Sequence, residues 1–138
     1  QHVPLMQGFA KVLNALVEDL QSTPDPTDPS LSLAETTTVL ITSEFTRTPL
    51  FNVAGGTDHW PTASAILMGK GVADNRVVGA TGDDAYALGW ESGAPAALDK
   101  YVNALKPDDV IATVLDILGV PTETVDEISK KRLDELRA

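Results

Sequence analysis

Two short apolar runs bracket a polar stretch, and this alternation constrains the chain more than any other feature. Thr37-Thr38-Val39-Leu40-Ile41-Thr42 is β-branched and too short for a helix, while Ala63-Ser64-Ala65-Ile66-Leu67-Met68 is apolar and closed by Gly69. Runs of this kind read as buried strands of a sheet covered on both faces. Between them lie Ser43-Glu44-Phe45-Thr46-Arg47-Thr48-Pro49 and Asp58-His59-Trp60-Pro61. In open, largely parallel α/β sheets, polar residues just past the strand ends line the ligand crevice. Glu44, Arg47, Asp58 and His59, one of two histidines in the chain, therefore gather at one predicted site.

Helices flank these runs. Leu5, Phe9, Val12, Leu13, Leu16, Val17 and Leu20 recur at helical spacing, predicting an amphipathic helix over 3–20 whose apolar face lies on the sheet. Pro24, Pro26 and Pro29 then make an exposed connector. Asn75-Arg76-Val77-Val78-Gly79 reads as a short edge strand. Residues 80–106 lack periodicity and form a long excursion with a helical turn near 96–103. Pro107-Asp108-Asp109 opens a second helix, with proline and acids in its first turn and Gly119 at its stop. The core is expected at Leu13, Leu16, Ile41, Ile66, Val114 and Leu118. Residues 1–121 form the domain, and 122–138 an amphipathic helical tail on the domain or on a partner.

Composition narrows the function classes. The chain has 138 residues, no cysteine and a net charge of −10. That charge argues against a nucleic-acid backbone or an anionic membrane as partner. The absence of cysteine excludes disulfides and thiolate chemistry. No apolar stretch approaches the roughly 20 residues that span a bilayer. The chain opens on Gln1 with no leader before its first helix, which implies a piece of something longer.

Each polar residue of the site has two readings. Asp58-His59 beside Gly55-Gly56-Thr57 suits a metal ligand on a loop that approaches an ion closely, or a capped turn with His59 stacked on Trp60. Adjacent side chains on an extended segment point to opposite sides, so both can ligate only if the turn bends them inward. Glu44 and Arg47 form either a salt bridge or a cation ligand with an anion contact, the guanidinium fork suiting phosphate or sulfate oxygens. Asp83 and Asp84 offer a calcium contact or a solvated turn. His59 is the sole local base, so no serine triad is supported.

Taken together, VLITSEFTRTP, GGTDHWP, ILMGKGV with VVGAT, and LKPDDVIATVLDILGV resemble the C-terminal part of the domain-of-unknown-function 1501 family. The family looks like a sulfatase-like branch of the alkaline phosphatase superfamily. The resemblance covers residues 3–120 and rests on the order and spacing of the motifs. It implies an α/β fold, the C-terminal portion of an α/β/α sandwich with a largely parallel sheet and flanking helices. It also implies a metal-dependent hydrolase of phosphate or sulfate esters, acting on a small anionic ester. His59 matches a metal-ligand histidine, with Glu44 as a ligand or supporting acid and Asp58 as an orienter; the resemblance gives Arg47 no role, and its contact with the anion rests on guanidinium chemistry alone. The expected cofactor is a divalent ion such as zinc or calcium, held weakly or not at all by this chain alone. The expected partner is the missing N-terminal part of the same protein, which would carry the nucleophile and the remaining ligands. The expected location is the periplasm or cell surface.

Departures from the family pattern support a rival reading, a non-catalytic binding or structural protein that kept the fold and lost the metal. Phe45 stands where the superfamily has a histidine. Thr46 replaces the glycine of EFGRTP, which strains the turn if that glycine has a positive φ. Asp74-Asn75 replaces a glycine pair, which asparagine tolerates.

Overall fold

In the computed structural model, which describes residues 2–91, 94–95, 103–121 and 131–138, the chain is mixed α/β. Helix α1 (His2–Ser22) leads to a short α2 (Leu33–Thr36), then strands β1 (Thr38–Thr42), β2 (Thr46–Arg47), β3 (His59–Trp60) and β4 (Ala65–Gly69). Strands β5 (Trp90–Glu91) and β6 (Ala94–Pro95), helix α3 (Pro107–Ile117) and a 3-10 turn (Asp134–Leu136) follow.

The sheet differs from expectation. β1 pairs with β4, β2 with β3 and β5 with β6, each antiparallel, so a largely parallel sandwich sheet is not what the described strands form. Apolar runs alone do not encode strand direction. Residues 43–64 fold back on themselves through β2 and β3, and this return brings β4 antiparallel onto β1, from Thr38 opposite Gly69 to Thr42 opposite Ala65. A hairpin path needs no crossover helix. Nor are the strands buried on both faces. Ile41 is half-buried and Ile66 is 46% exposed. Gly69 is required at the end of β4, because φ is +101° and a Cβ there would lie 2.2 Å from the Thr37 carbonyl oxygen.

The predicted helices form, but their faces do not bury as expected. α1 packs on α2, and its apolar stripe stays open, with Leu5 69% and Leu16 39% exposed. Leu118 is 56% exposed, outside the last turn of α3. The end of α3 is a Schellman motif: the Gly119 N–H donates to Asp116 O and the Val120 N–H to Leu115 O, at 3.0 and 2.9 Å. The edge strand expected at 75–79 is absent, and Asn75 takes a left-handed turn at φ 53°. Thr46 sits in β2 and is not among the residues with positive φ, so its replacement of glycine carries no strain.

The core lies around α3. Trp90, Ala104, Ala112 and Leu133 are its buried apolar residues. The tail reaches it: Leu133 is 2% exposed, and its N–H donates to the Thr113 hydroxyl, which in turn donates to Asp109 O. Arg137 pairs with Asp116 at 3.0 Å, and the Ala138 N–H donates to Gly71 O. The described part of the tail is thus an extended strap with one 3-10 turn, not a helix. The expected turn at 96–103 lies outside the described residues apart from Asn103, and 122–130 lie outside them entirely.

The proline connector is ordered by Asp25. This carboxylate is 8% exposed. It accepts hydrogen bonds from the Thr27 hydroxyl, the Thr36 hydroxyl and the backbone N–H groups of Thr27 and Asp28. The Thr27 hydroxyl, then that of Thr36, then the backbone donors hold its pKa well below the usual carboxylate range. Thr36 precedes β1, so this knot positions the strand that leads into the polar motif.

Candidate functional site

The two polar motifs face each other as the outer part of the β1–β4 ladder. Beyond Thr42 and Ala65 the pairing resumes with Thr46 opposite Trp60 and Arg47 opposite His59. Between the two ladders residues 43–45 face 61–64, one residue more, which is the geometry of a bulge. Glu44 and His59 accordingly stand at the same end of the β1–β4 ladder, although the strands are not parallel.

Strand alternation then sorts the side chains onto two faces. On one face Thr46 donates to Thr62 O at 2.6 Å, and the Trp60 indole donates to Ala85 O at 2.9 Å while packing on Tyr86 at 4.6 Å. On the other face Arg47 and His59 are cross-strand neighbours, both exposed. His59 stacks on Phe45 and not on Trp60, with ring centroids 3.7 Å apart and planes at 20°. The Arg47 guanidinium carbon lies 5.0 Å from the Phe45 ring centroid, and Nη1 donates to Thr57 O at 3.1 Å. Arg47 therefore makes no salt bridge with Glu44 among the described residues.

Asp58 points the other way. The Asn52 side-chain amide donates to its carboxylate at 2.8 Å, and the Asp58 backbone exchanges hydrogen bonds with Thr48. Asn52 also accepts from the N–H groups of Ala54 and Gly56, closing the loop between β2 and β3. A cleft of about 390 Å³ opens beside it, walled by Leu50, Phe51 and Trp60 with Asp58, Asp83 and Asp84 among its lining. Asn52 carries a loop-closing signal in the sequence too, an asparagine just ahead of Gly55-Gly56. Phe45, a departure from the expected pattern in sequence, is in the structure the surface on which His59 and Arg47 rest.

The metal expectation meets this geometry directly. Asp58, just ahead of β3, bonds Asn52 while His59 turns to Phe45, and among the described residues no three His, Cys, Asp or Glu side chains stand close enough to hold an ion. Glu44 and His59 offer two ligands at most, fewer than the three protein ligands of a catalytic zinc. The described residues do not by themselves make a metal centre.

The family model described as protein of unknown function (DUF1501) matches residues 1–132. No curated protein and no solved structure matches the chain. Among the described residues, no helix is long and apolar enough to cross a membrane.

Proposed function

The chain belongs to the DUF1501 family, and from that premise we propose that it is part of a sulfatase- or phosphatase-like protein related to metal-dependent hydrolases of phosphate or sulfate esters. The observation that carries this reading is the paired strand β2–β3, which presents Arg47 and His59 side by side on one exposed face. In a chain of net charge −10, an arginine held without a carboxylate partner among the described residues suits an anionic group. Arg47 contacts the ester anion, and His59 with Glu44 contributes ligands to a divalent ion whose remaining ligands come from elsewhere in the protein.

That remainder is also the proposed partner. Among the described residues, large apolar side chains lie open to solvent, Leu5 and Val12 each at 69%. The open surface includes the apolar stripe of α1 with Leu5, Met6, Phe9 and Val12. A two-stranded ladder such as β1–β4 is marginal alone and gains stability from further strands. Further strands of the same protein cover these faces, making the chain the C-terminal portion of an α/β/α sandwich. By the same family resemblance the protein is exported to the periplasm or cell surface.

The test is the whole protein, assayed for divalent metal content and for hydrolysis of aryl phosphate and aryl sulfate esters. Metal-dependent turnover that His59→Ala abolishes supports the reading, and a metal-free, inactive protein overturns it. The second reading, a binding protein that kept the fold without the metal, is favoured by the turning of Asp58 to Asn52 and of His59 to Phe45. Ester binding without turnover would establish it.

A further inference from the structure

The Arg47–Phe45–His59 cluster has the makings of a ligand site that needs no metal. Cross-strand neighbours project from the same face with Cβ atoms about 5 Å apart, so Arg47 and His59 leave the sheet together. Phe45 immobilises both, the imidazole by stacking and the guanidinium by its position over the ring. Thr57 O occupies one guanidinium nitrogen, which fixes the fork. The rest of that fork has no acceptor among the described residues, and neither imidazole nitrogen has a hydrogen-bond partner there. Donors that are already held in place lose little freedom on meeting an acceptor.

The geometry points to a metal-independent oxyanion site, in which Arg47 donates through its free edge and His59 through one ring N–H to a tetrahedral phosphate or sulfate group. A tetrahedral oxyanion carries acceptors in several directions, so it can take both donors at once. From the proposed function this inference takes only the class of ligand, an anionic ester. It replaces the ion with the guanidinium as the group that first captures the anion. The acidic surface elsewhere repels such a ligand, and the cluster is where that repulsion is locally offset.

Inorganic phosphate and inorganic sulfate are titrated separately into the whole protein in EDTA at constant ionic strength. Calorimetry gives the affinity, and NMR follows the Arg47 Nε–H and His59 ring signals. Dissociation constants on the order of millimolar are expected, with shifts concentrated at those two signals. Arg47→Gln should weaken binding about tenfold, Arg47→Lys should recover part of the loss, and His59→Asn should weaken it about threefold. The tighter of the two anions assigns the ester class. Unperturbed Arg47 and His59 signals in the wild-type protein would overturn the inference, as would Arg47→Gln binding like wild type. The wild-type mapping decides even if a variant fails to fold. Failure of the metal-dependent assay leaves this site standing, and failure of oxyanion binding in EDTA leaves metal-dependent turnover to be judged by its own assay.

Discussion

The ring of Phe45 lies on the imidazole of His59, 3.7 Å between centroids and 20° between planes, across the β2–β3 pair. A stacked pair of this kind is worth about 0.5–1.5 kcal/mol beyond the area it buries. The ring at position 45 thus supplies the surface that orients His59.

Phe45→Leu should leave the fold intact, cost about 0.5–1.5 kcal/mol in a urea melt, and free the imidazole. The His59 ring protons should lose their ring-current shift. A spectrum unchanged at His59 would mean that the two rings do not stack in solution.

Asp25 sets an acid limit on stability. Its folded-state pKa is held below the ordinary 3.8, chiefly by the hydroxyls of Thr27 and Thr36. The folded state therefore favours the ionised form, and the stabilisation is fully present above the unfolded value. It is lost as pH falls from about 4 toward the depressed folded value. Asp25→Asn should lower the melting temperature at pH 7 by a few degrees and flatten its decline between pH 4 and pH 2. An unchanged acid limb in the variant would show that Asp25 is not the group responsible.

Leu133 and Leu16 should respond oppositely to truncation. Leu133 is 2% exposed against α3, so Leu133→Ala should cost about 2–5 kcal/mol. Leu16 is 39% exposed, so Leu16→Ala should cost under about 1 kcal/mol in the 138-residue chain. In a longer protein whose further strands cover α1, the same substitution should cost more. Urea denaturation of both forms measures the difference, and equal Leu16 costs would mean that nothing covers that stripe.

Thr113→Val should be more damaging than its small change in shape suggests. The hydroxyl accepts the Leu133 N–H at 3.0 Å and donates to Asp109 O at 2.7 Å, with Thr113 fully buried. Removing it strands a buried donor, at about 1–3 kcal/mol. Amide exchange at Leu133 should accelerate, and continued protection there would count against this hydrogen bond.

Local signals in the sequence determined α1, α3 and the strand runs β1 and β4. The acids and proline at the start of α3 and Gly119 at its stop specify that helix wherever it packs, because capping depends on nearest neighbours. The apolar runs marked β1 and β4, and Asn75 in place of glycine was compatible with the left-handed turn it forms. Strand direction, burial and the division of the site were decided by tertiary structure. Whether β4 runs with or against β1 depends on the path of residues 43–64. Whether Leu16 or Leu133 is core depends on which element arrives to cover it, here a C-terminal strap folding back from far along the chain. Asp58 and His59 are adjacent in sequence, and only the pairing of β2 with β3 sends one to the Asn52 cleft and the other to Phe45. The physical reason is range: caps and periodicity act over a few residues, whereas register, strand direction and burial are set by contacts between distant segments.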